Sequence, residues 1–166
     1  MKRIGLISDT HGFINPRVFS FFSNCDEIWH AGDIGNIETL EKLKNFKPVI
    51  AVYGNIDGGS LRAELNEYEV FVSEGLKVVM LHIGGYPGRY SPFGRILIHE
   101  HNPGLFISGH SHILKVIPDN KNNLLHINPG AAGNSGIHKS ITMIKFEIVS
   151  GVVSELEVFD AHRSNN

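Results

Sequence analysis

Short, uninterrupted apolar runs, each closed by glycine and polar side chains, dominate the first two thirds of this chain. Lys2–Ile7 shows no polar alternation, which predicts a strand covered on both faces, and it stops at Ser8-Asp9-Thr10-His11-Gly12. Asn15-Pro16 supplies a helix cap with proline at the first helical position, and Val18, Phe19 and Phe22 follow at helical spacing. Residues 27–31 form a second apolar run, ending in Gly32-Asp33. Asn36 then opens a helix with Ile37, Leu40, Leu43 and Phe46 on one side, which Pro48 stops. Residues 49–53 make a third strand before Gly54-Asn55. The order β-α-β-α-β predicts a parallel sheet with right-handed crossovers.

Residues 61–73 show no regular period. Leu76–Leu81 is a fourth buried strand that runs into His82, and a glycine-rich loop follows. Pro92–His101 spaces Phe93, Ile96, Leu97 and Glu100 as an amphipathic helix, which Asn102-Pro103-Gly104 terminates. Residues 105–108 form a fifth strand, closed by Gly109-His110-Ser111-His112. Beyond it the runs 114–117, 124–128, 141–148 and 152–159 are separated by turn residues, a hairpin pattern that predicts antiparallel or mixed pairing. With 166 residues, no polar linker and no internal repeat, the chain fits one α/β domain over 1–166.

A formal net charge of -2 and a pI near 6.5 lack the basic footprint of a dedicated nucleic-acid-binding domain, so nucleic acid is disfavoured as a partner. The apolar stretch behind Met1-Lys2-Arg3 ends at Asp9, too soon for a secretory signal, and no run approaches bilayer length. A cytoplasmic protein without a membrane partner is the expectation. The single Cys25 offers no disulfide and no Cys-x-x-Cys site, and is expected to be a small buried residue. The histidine count of 10 changes the picture, because histidine is costly to bury alone and is the commonest metal ligand.

Five apolar runs end, in order, at Asp9 and His11, at Asp33, at Asn55, at His82, and at His110 and His112. In open α/β sheets ligands collect outside the carboxyl ends of the strands, so five such ends in one sheet would deliver all seven side chains to one crevice. Seven donors plus water overfill a single ion, whereas two ions roughly 3.5–4 Å apart can share a bridging carboxylate, for which Asp33 is the natural choice. Asp, His and Asn without thiolate suit manganese, iron, nickel, cobalt or zinc over calcium or magnesium, and manganese is the expected ion. Two divalent ions less two aspartates leave an electropositive centre suited to a phosphoryl anion, with a bridging hydroxide as nucleophile.

Taken together, Asp9-Thr10-His11, Gly32-Asp33, Gly54-Asn55, His82 and Gly109-His110-Ser111-His112 resemble, in order, the signature of calcineurin-like metallophosphoesterases. The short chain and Ile127-Asn128-Pro129-Gly130-Ala131-Ala132-Gly133 are similar to its small bacterial and archaeal phosphodiesterase branch. The resemblance implies a four-layer α/β/β/α sandwich with two mixed sheets. It also implies one metal held by Asp9, His11, Asp33 and His112 and another held by Asp33, Asn55, His82 and His110, with Asp33, Asn55 and His82 serving catalysis. Two positions depart from the family pattern. Ile56 stands after Gly54-Asn55 where protein-phosphatase-like relatives carry a histidine that protonates the leaving oxygen, and His82-Ile83-Gly84 replaces a His-Gly-His. Isoleucine donates no proton, so the leaving alcohol needs another acid or must be a good leaving group, which favours diesters over monoesters.

The expected function is hydrolysis of a small organic phosphodiester. A non-catalytic interaction scaffold of the same fold and a phosphomonoesterase are the alternatives. Asn55 is also a substrate-binding candidate, and the segment around Arg89 is either a substrate loop, with Arg89 or Arg95 reaching the phosphate, or a plain turn. Asp57 reads better as part of an Asp-Gly turn than as a residue orienting the site. In Asn128-Pro129-Gly130 backbone groups lining the crevice and a strand-ending turn are equally good readings. His30, His99, His101, His126, His138 and His162 are expected on the surface or satisfied in the core. Strand edges in the second half are compatible with a homo-oligomer.

Overall fold

The computed structural model describes residues 1–163. Ten strands and four helices alternate along it: β1 (Lys2–Ile7), α1 (Arg17–Phe21), β2 (Glu27–His30), α2 (Ile37–Phe46), β3 (Val49–Ala51), α3 (Gly59–Glu64), β4 (Tyr68–Ser73), β5 (Leu76–Leu81), α4 (Pro92–His101), β6 (Leu105–Ile107), β7 (Leu114–Asp119), β8 (Leu124–Pro129), β9 (Ser140–Val149) and β10 (Val152–His162). Among the described residues no helix is long and apolar enough to cross a membrane.

The strands divide into two five-stranded sheets, ordered β10-β9-β1-β2-β3 and β4-β5-β6-β8-β7. Both are mixed. In the first, β1, β2 and β3 run parallel while β9 and β10 are antiparallel additions. In the second, β5, β6 and β8 run parallel, flanked by antiparallel β4 and β7. The expectation of one sheet carrying all five ligand-bearing strand ends is therefore corrected. β1 to β3 lie in one sheet and β5 and β6 in the other. The reason is that both strand sets are apolar on two faces, so each can cover the other and still accept helices outside.

Burial follows those layers. Leu6, Trp29, Ala31 and Phe146 of the first sheet meet Val78, Met80, Ile107 and Ile127 of the second in a core between the sheets. Phe22 and Leu43, from the α1 and α2 side, pack with Ile7, Ile28 and Met143 on the outer face of the first sheet. Leu97 and Ile98 of α4 pack with Val79 and Phe106 on the outer face of the second. The result is the expected four-layer α/β/β/α sandwich. Cys25 is buried beside Phe22, as expected.

Local differences from the sequence reading have local causes. Pro16 sits at the cap of α1 and not inside it, because the Asn15 carboxamide accepts from the Arg17 N–H (2.9 Å) and closes a turn ahead of the helix. Asn36 caps α2 as expected, accepting from Thr39 N–H at 2.9 Å. The third strand leaves its sheet after Ala51, and Val52 instead bridges to Asn66. The stretch 61–73, read as irregular, holds most of α3 and all of β4. β4 is an edge strand with only one fully buried residue, so its side chains carry little alternation.

Candidate metal centre

The segments that follow β1, β2, β3, β5 and β6 meet at one end of the sandwich. Backbone bonds lace them together: Asp9 N–H to Gly32 O (2.9 Å), His11 N–H to Asp33 O (3.0 Å) and Gly109 N–H to the His82 carbonyl (3.0 Å). Asp9, His11, Asp33, His110 and His112 all have positive φ, between 49° and 68°. For residues other than glycine this left-handed backbone costs about 1–3 kcal/mol each and persists only where surrounding contacts impose it. Here the sharp reversals turn successive polar side chains inward.

Six of the seven expected ligands form two groups whose donor atoms lie within 4.8 Å of one another: Asp9, His11 and His112, and Asp33, His82 and His110. Asp9 Oδ2 is committed to the Ser8 hydroxyl (2.6 Å) and the His110 N–H (3.0 Å). Its Oδ1 faces His112 Nε2 at 3.2 Å, His11 Nε2 at 3.7 Å and His82 Nε2 at 3.9 Å. Asp33 Oδ1 accepts from Ile56 N–H (3.0 Å), leaving Oδ2 at 3.2 Å from His82 Nε2 and 3.5 Å from His11 Nε2. Asp33 thus reaches across both groups. Asn55 is exposed between Gly54, which packs against Asp33, and Ile56, and it lines a cavity with His82.

The donor chemistry fits metal ions. Asp9 Oδ1, His11 Nε2 and His82 Nε2 are buried without a hydrogen-bond partner, an arrangement that costs kilocalories unless something else satisfies them. All three belong to the two groups. The histidine tautomers agree. His82 Nδ1 donates to the Ala31 carbonyl (2.7 Å), so its Nε2 lone pair faces the carboxylates. His138 Nε2 donates to the Gly133 carbonyl (2.8 Å), so its Nδ1 accepts from His112 Nδ1 (3.0 Å) and leaves the His112 Nε2 lone pair free. Burial holds His138 below the usual histidine range, consistent with the neutral ring this relay needs.

Protonation also tracks the geometry. Burial raises the Asp9 pKa, but the imidazoles of His11 and His112 close to Oδ1, the charge of His82 and the Ser8 hydroxyl outweigh it and leave the carboxylate well below its ordinary value. Burial likewise opposes ionisation of Asp33, and His82 with the Ile56 N–H overcomes it. The nearby Asp9 carboxylate raises His11, and burial opposes a charge on His82 but Asp33 and Asp9 outweigh it and raise its pKa. Both carboxylates are ionised at neutral pH, as cation ligation requires.

Several supporting residues escaped the sequence reading. Asp57, expected as a turn residue, is buried and accepts from Gly54 N–H (2.8 Å), Gly35 N–H (2.8 Å) and Ile34 N–H (3.1 Å), tying the Asp33 and Asn55 loops together. Only the spacing Gly54-Asn55-x-Asp57 hinted at this role. His138, expected on the surface or satisfied in the core, touches His112, and no sequence signal marks it. Asn128 has a bracing role: its amide donates to Gly109 O (2.9 Å) and Ser111 Oγ (3.1 Å). His30 is satisfied as expected, taking the Gly32 N–H at Nδ1 (3.2 Å) and donating to Thr10 Oγ1 (2.9 Å). His126 is not: it is buried with neither ring nitrogen hydrogen-bonded. Arg89 lines a cavity with His110, whereas Arg95 lines a separate one with Asp119 and His99.

A two-sheet sandwich thus gathers aspartates and histidines at one end, a donor set suited to divalent transition metals. The calcineurin-like phosphoesterase superfamily domain matches residues 1–151, and the chain belongs to that family. It is 36% identical over 137 residues to a probable metallophosphoesterase of Methanocaldococcus jannaschii, spanning 77% of this chain and 67% of that protein. In fold it resembles an archaeal phosphodiesterase, with a TM-score of 0.75 at 20% identity over 96% of this chain and 99% of that one. It equally resembles Vps29 of Chaetomium thermophilum, with a TM-score of 0.74 at 14% identity over 98% of both chains.

Proposed function

We propose that this protein is a phosphodiesterase that hydrolyses a small organic phosphodiester at a centre of two divalent transition-metal ions, with manganese the first choice. The observation that carries the reading is the set of buried, unpartnered atoms Asp9 Oδ1, His11 Nε2 and His82 Nε2, aimed at one another from separate loops. Asp9, His11, Asp33 and His112 would hold one ion and Asp33, Asn55, His82 and His110 the other. The position of Asp33 Oδ2 between His11 and His82 supports its assignment as the bridge. When bound, the two ions supply Lewis-acid stabilisation of phosphoryl charge and acidify a water to serve as nucleophile.

The chain's own residues do the rest. Asp9 and Asp33 stay ionised and set the net charge of the centre, and Ser8, Ile56 and the His110 N–H hold their outer oxygens so that the inner ones keep a constant aim. Asn55 and His82, which line one cavity of about 390 Å³, position the phosphoryl group there. Ile56 is exposed beside Asn55 and offers no proton, which supports a diester with a good leaving group over a monoester.

Purified protein with added manganese is expected to cleave bis(para-nitrophenyl) phosphate with a kcat/KM roughly tenfold or more above that for para-nitrophenyl phosphate. Asp33→Asn is expected to lower the diester kcat/KM by about 100-fold or more. Monoester preference would transfer the function to phosphomonoesterase. Absence of turnover with any transition metal would favour the scaffold role of a non-catalytic fold relative.

A further inference from the structure

Two cavities open on either side of Ile83, the exposed residue that follows His82. The larger runs from Asn55 and His82 past Arg62, which stacks 4.5 Å from the Tyr53 ring centroid, and Glu67 to Pro92 and Phe93, whose side chains suit an aromatic or apolar group. The smaller, about 180 Å³, runs from His110 past Tyr86 to Arg89 and Lys115, and no acidic side chain lines it. Among the described residues neither Arg89 nor Lys115 is paired with a carboxylate, which leaves both able to meet an anionic group.

The Lys115 ammonium and the backbone that presents Arg89 are held in place. The Lys115 ammonium lies 3.7 Å from the centroid of the Tyr86 ring, an attraction that orders its long side chain. The turn that presents Arg89 is closed by Arg89 N–H to Tyr86 O (2.8 Å). It is anchored at its base by Ser91 N–H to Gly84 O (2.9 Å) and by the Ser108 hydroxyl to Gly85 O (2.9 Å). The cavity touches His110 but neither Asp9 nor Asp33. It adjoins the expected ligand His110 and lies across Ile83 from the cavity that holds Asn55 and His82, so an ester arm leaving the centre on this side passes its cations.

Resting on the phosphodiesterase reading above, we propose that the natural substrate is an asymmetric phosphodiester. One ester arm, aromatic or apolar, lies along Pro92 and Phe93. The other carries a second anionic group, a phosphate or carboxylate, held by the Arg89 guanidinium as a two-pronged donor and by the Lys115 ammonium as a point charge.

Two para-nitrophenyl phosphodiesters differing only in the other alcohol test this: propanol in one, a phosphorylated propanediol in the second. The phosphorylated ester is expected to have a kcat/KM roughly tenfold or more above the propyl ester, the effect of one or two charge-assisted hydrogen bonds. Arg89→Ala and Lys115→Gln are each expected to lower that ratio severalfold. A parallel calorimetric titration of the metal-loaded protein compares propanediol bisphosphate with propyl phosphate, and needs no turnover. Tighter binding of the bisphosphate that is lost in Arg89→Ala supports the anion subsite even if neither ester is cleaved, an outcome that would sink the phosphodiesterase reading alone. Turnover of both esters at equal efficiency, or a preference that survives both substitutions, overturns the subsite and leaves the phosphodiesterase reading standing.

Discussion

His138 contributes nothing that the centre's geometry needs except a lone pair. By accepting from His112 Nδ1 it leaves the opposite nitrogen unprotonated and aimed at Asp9. Replacing it with phenylalanine keeps the ring volume and removes the acceptor, so metal affinity should fall about 10- to 100-fold, measurable by competition with a chelator. An unchanged affinity would reduce the contact to packing. Asp57 acts on the same loops through three backbone N–H groups in a buried setting. Asp57→Ala should cost about 3 kcal/mol or more in denaturant unfolding, because it strands those donors away from water. The candidate ligands stand out in the sequence because a polar residue after an apolar strand is conspicuous. Asp57, Asn128 and His138 do not, since each acts on loops distant in sequence that only the fold brings near.

At the scale of elements, the strands supply direction and the loops supply aim. β1 and β2 lie side by side in register, from Ile4 opposite Glu27 to Ile7 opposite His30. Asp9 and Asp33 therefore leave neighbouring strands at nearly the same height. Gly54 lets the third strand's loop press against Asp33, and a methyl group there would collide with the Asp33 carboxylate. Gly54→Ala should consequently weaken metal binding by about tenfold or more while leaving the strands intact, a split that calorimetry and circular dichroism would resolve. Normal affinity in this variant would mean that Asp33 can move without consequence. The long apolar elements matched their expected bounds closely, Lys2–Ile7, Leu76–Leu81 and Pro92–His101 among them. α3 and β4 were missed because one is six residues long and the other lies half-buried at a sheet edge, where neither period is expressed.

For the whole molecule, pH sets opposing demands on the histidines. His30 and His126 are pushed down to about 4 by burial. Histidines with depressed values favour folding fully above the unfolded value near 6.5, and that stability is lost as pH falls from there towards 4. His11 and His82 are raised by the carboxylates, so in metal-stripped protein their contribution is present below about 6.5 and lost as pH rises through their folded values. Thermal unfolding of the stripped protein should therefore show a stability maximum at mildly acidic to neutral pH. Added manganese should stabilise increasingly with rising pH, because ligation needs neutral imidazoles. A metal effect independent of pH would argue against histidine ligation. What the sequence determined by itself was the phosphoesterase family signature and the strand ends that present its candidate side chains. Strand burial and residue type are properties of short segments, and they survive without knowledge of partners. What only the tertiary structure decided was the division into two facing sheets, the lacing of their loops and the tautomer of each ring. Those depend on which distant surfaces bury one another, and several pairings of equally apolar strands satisfy the same local pattern.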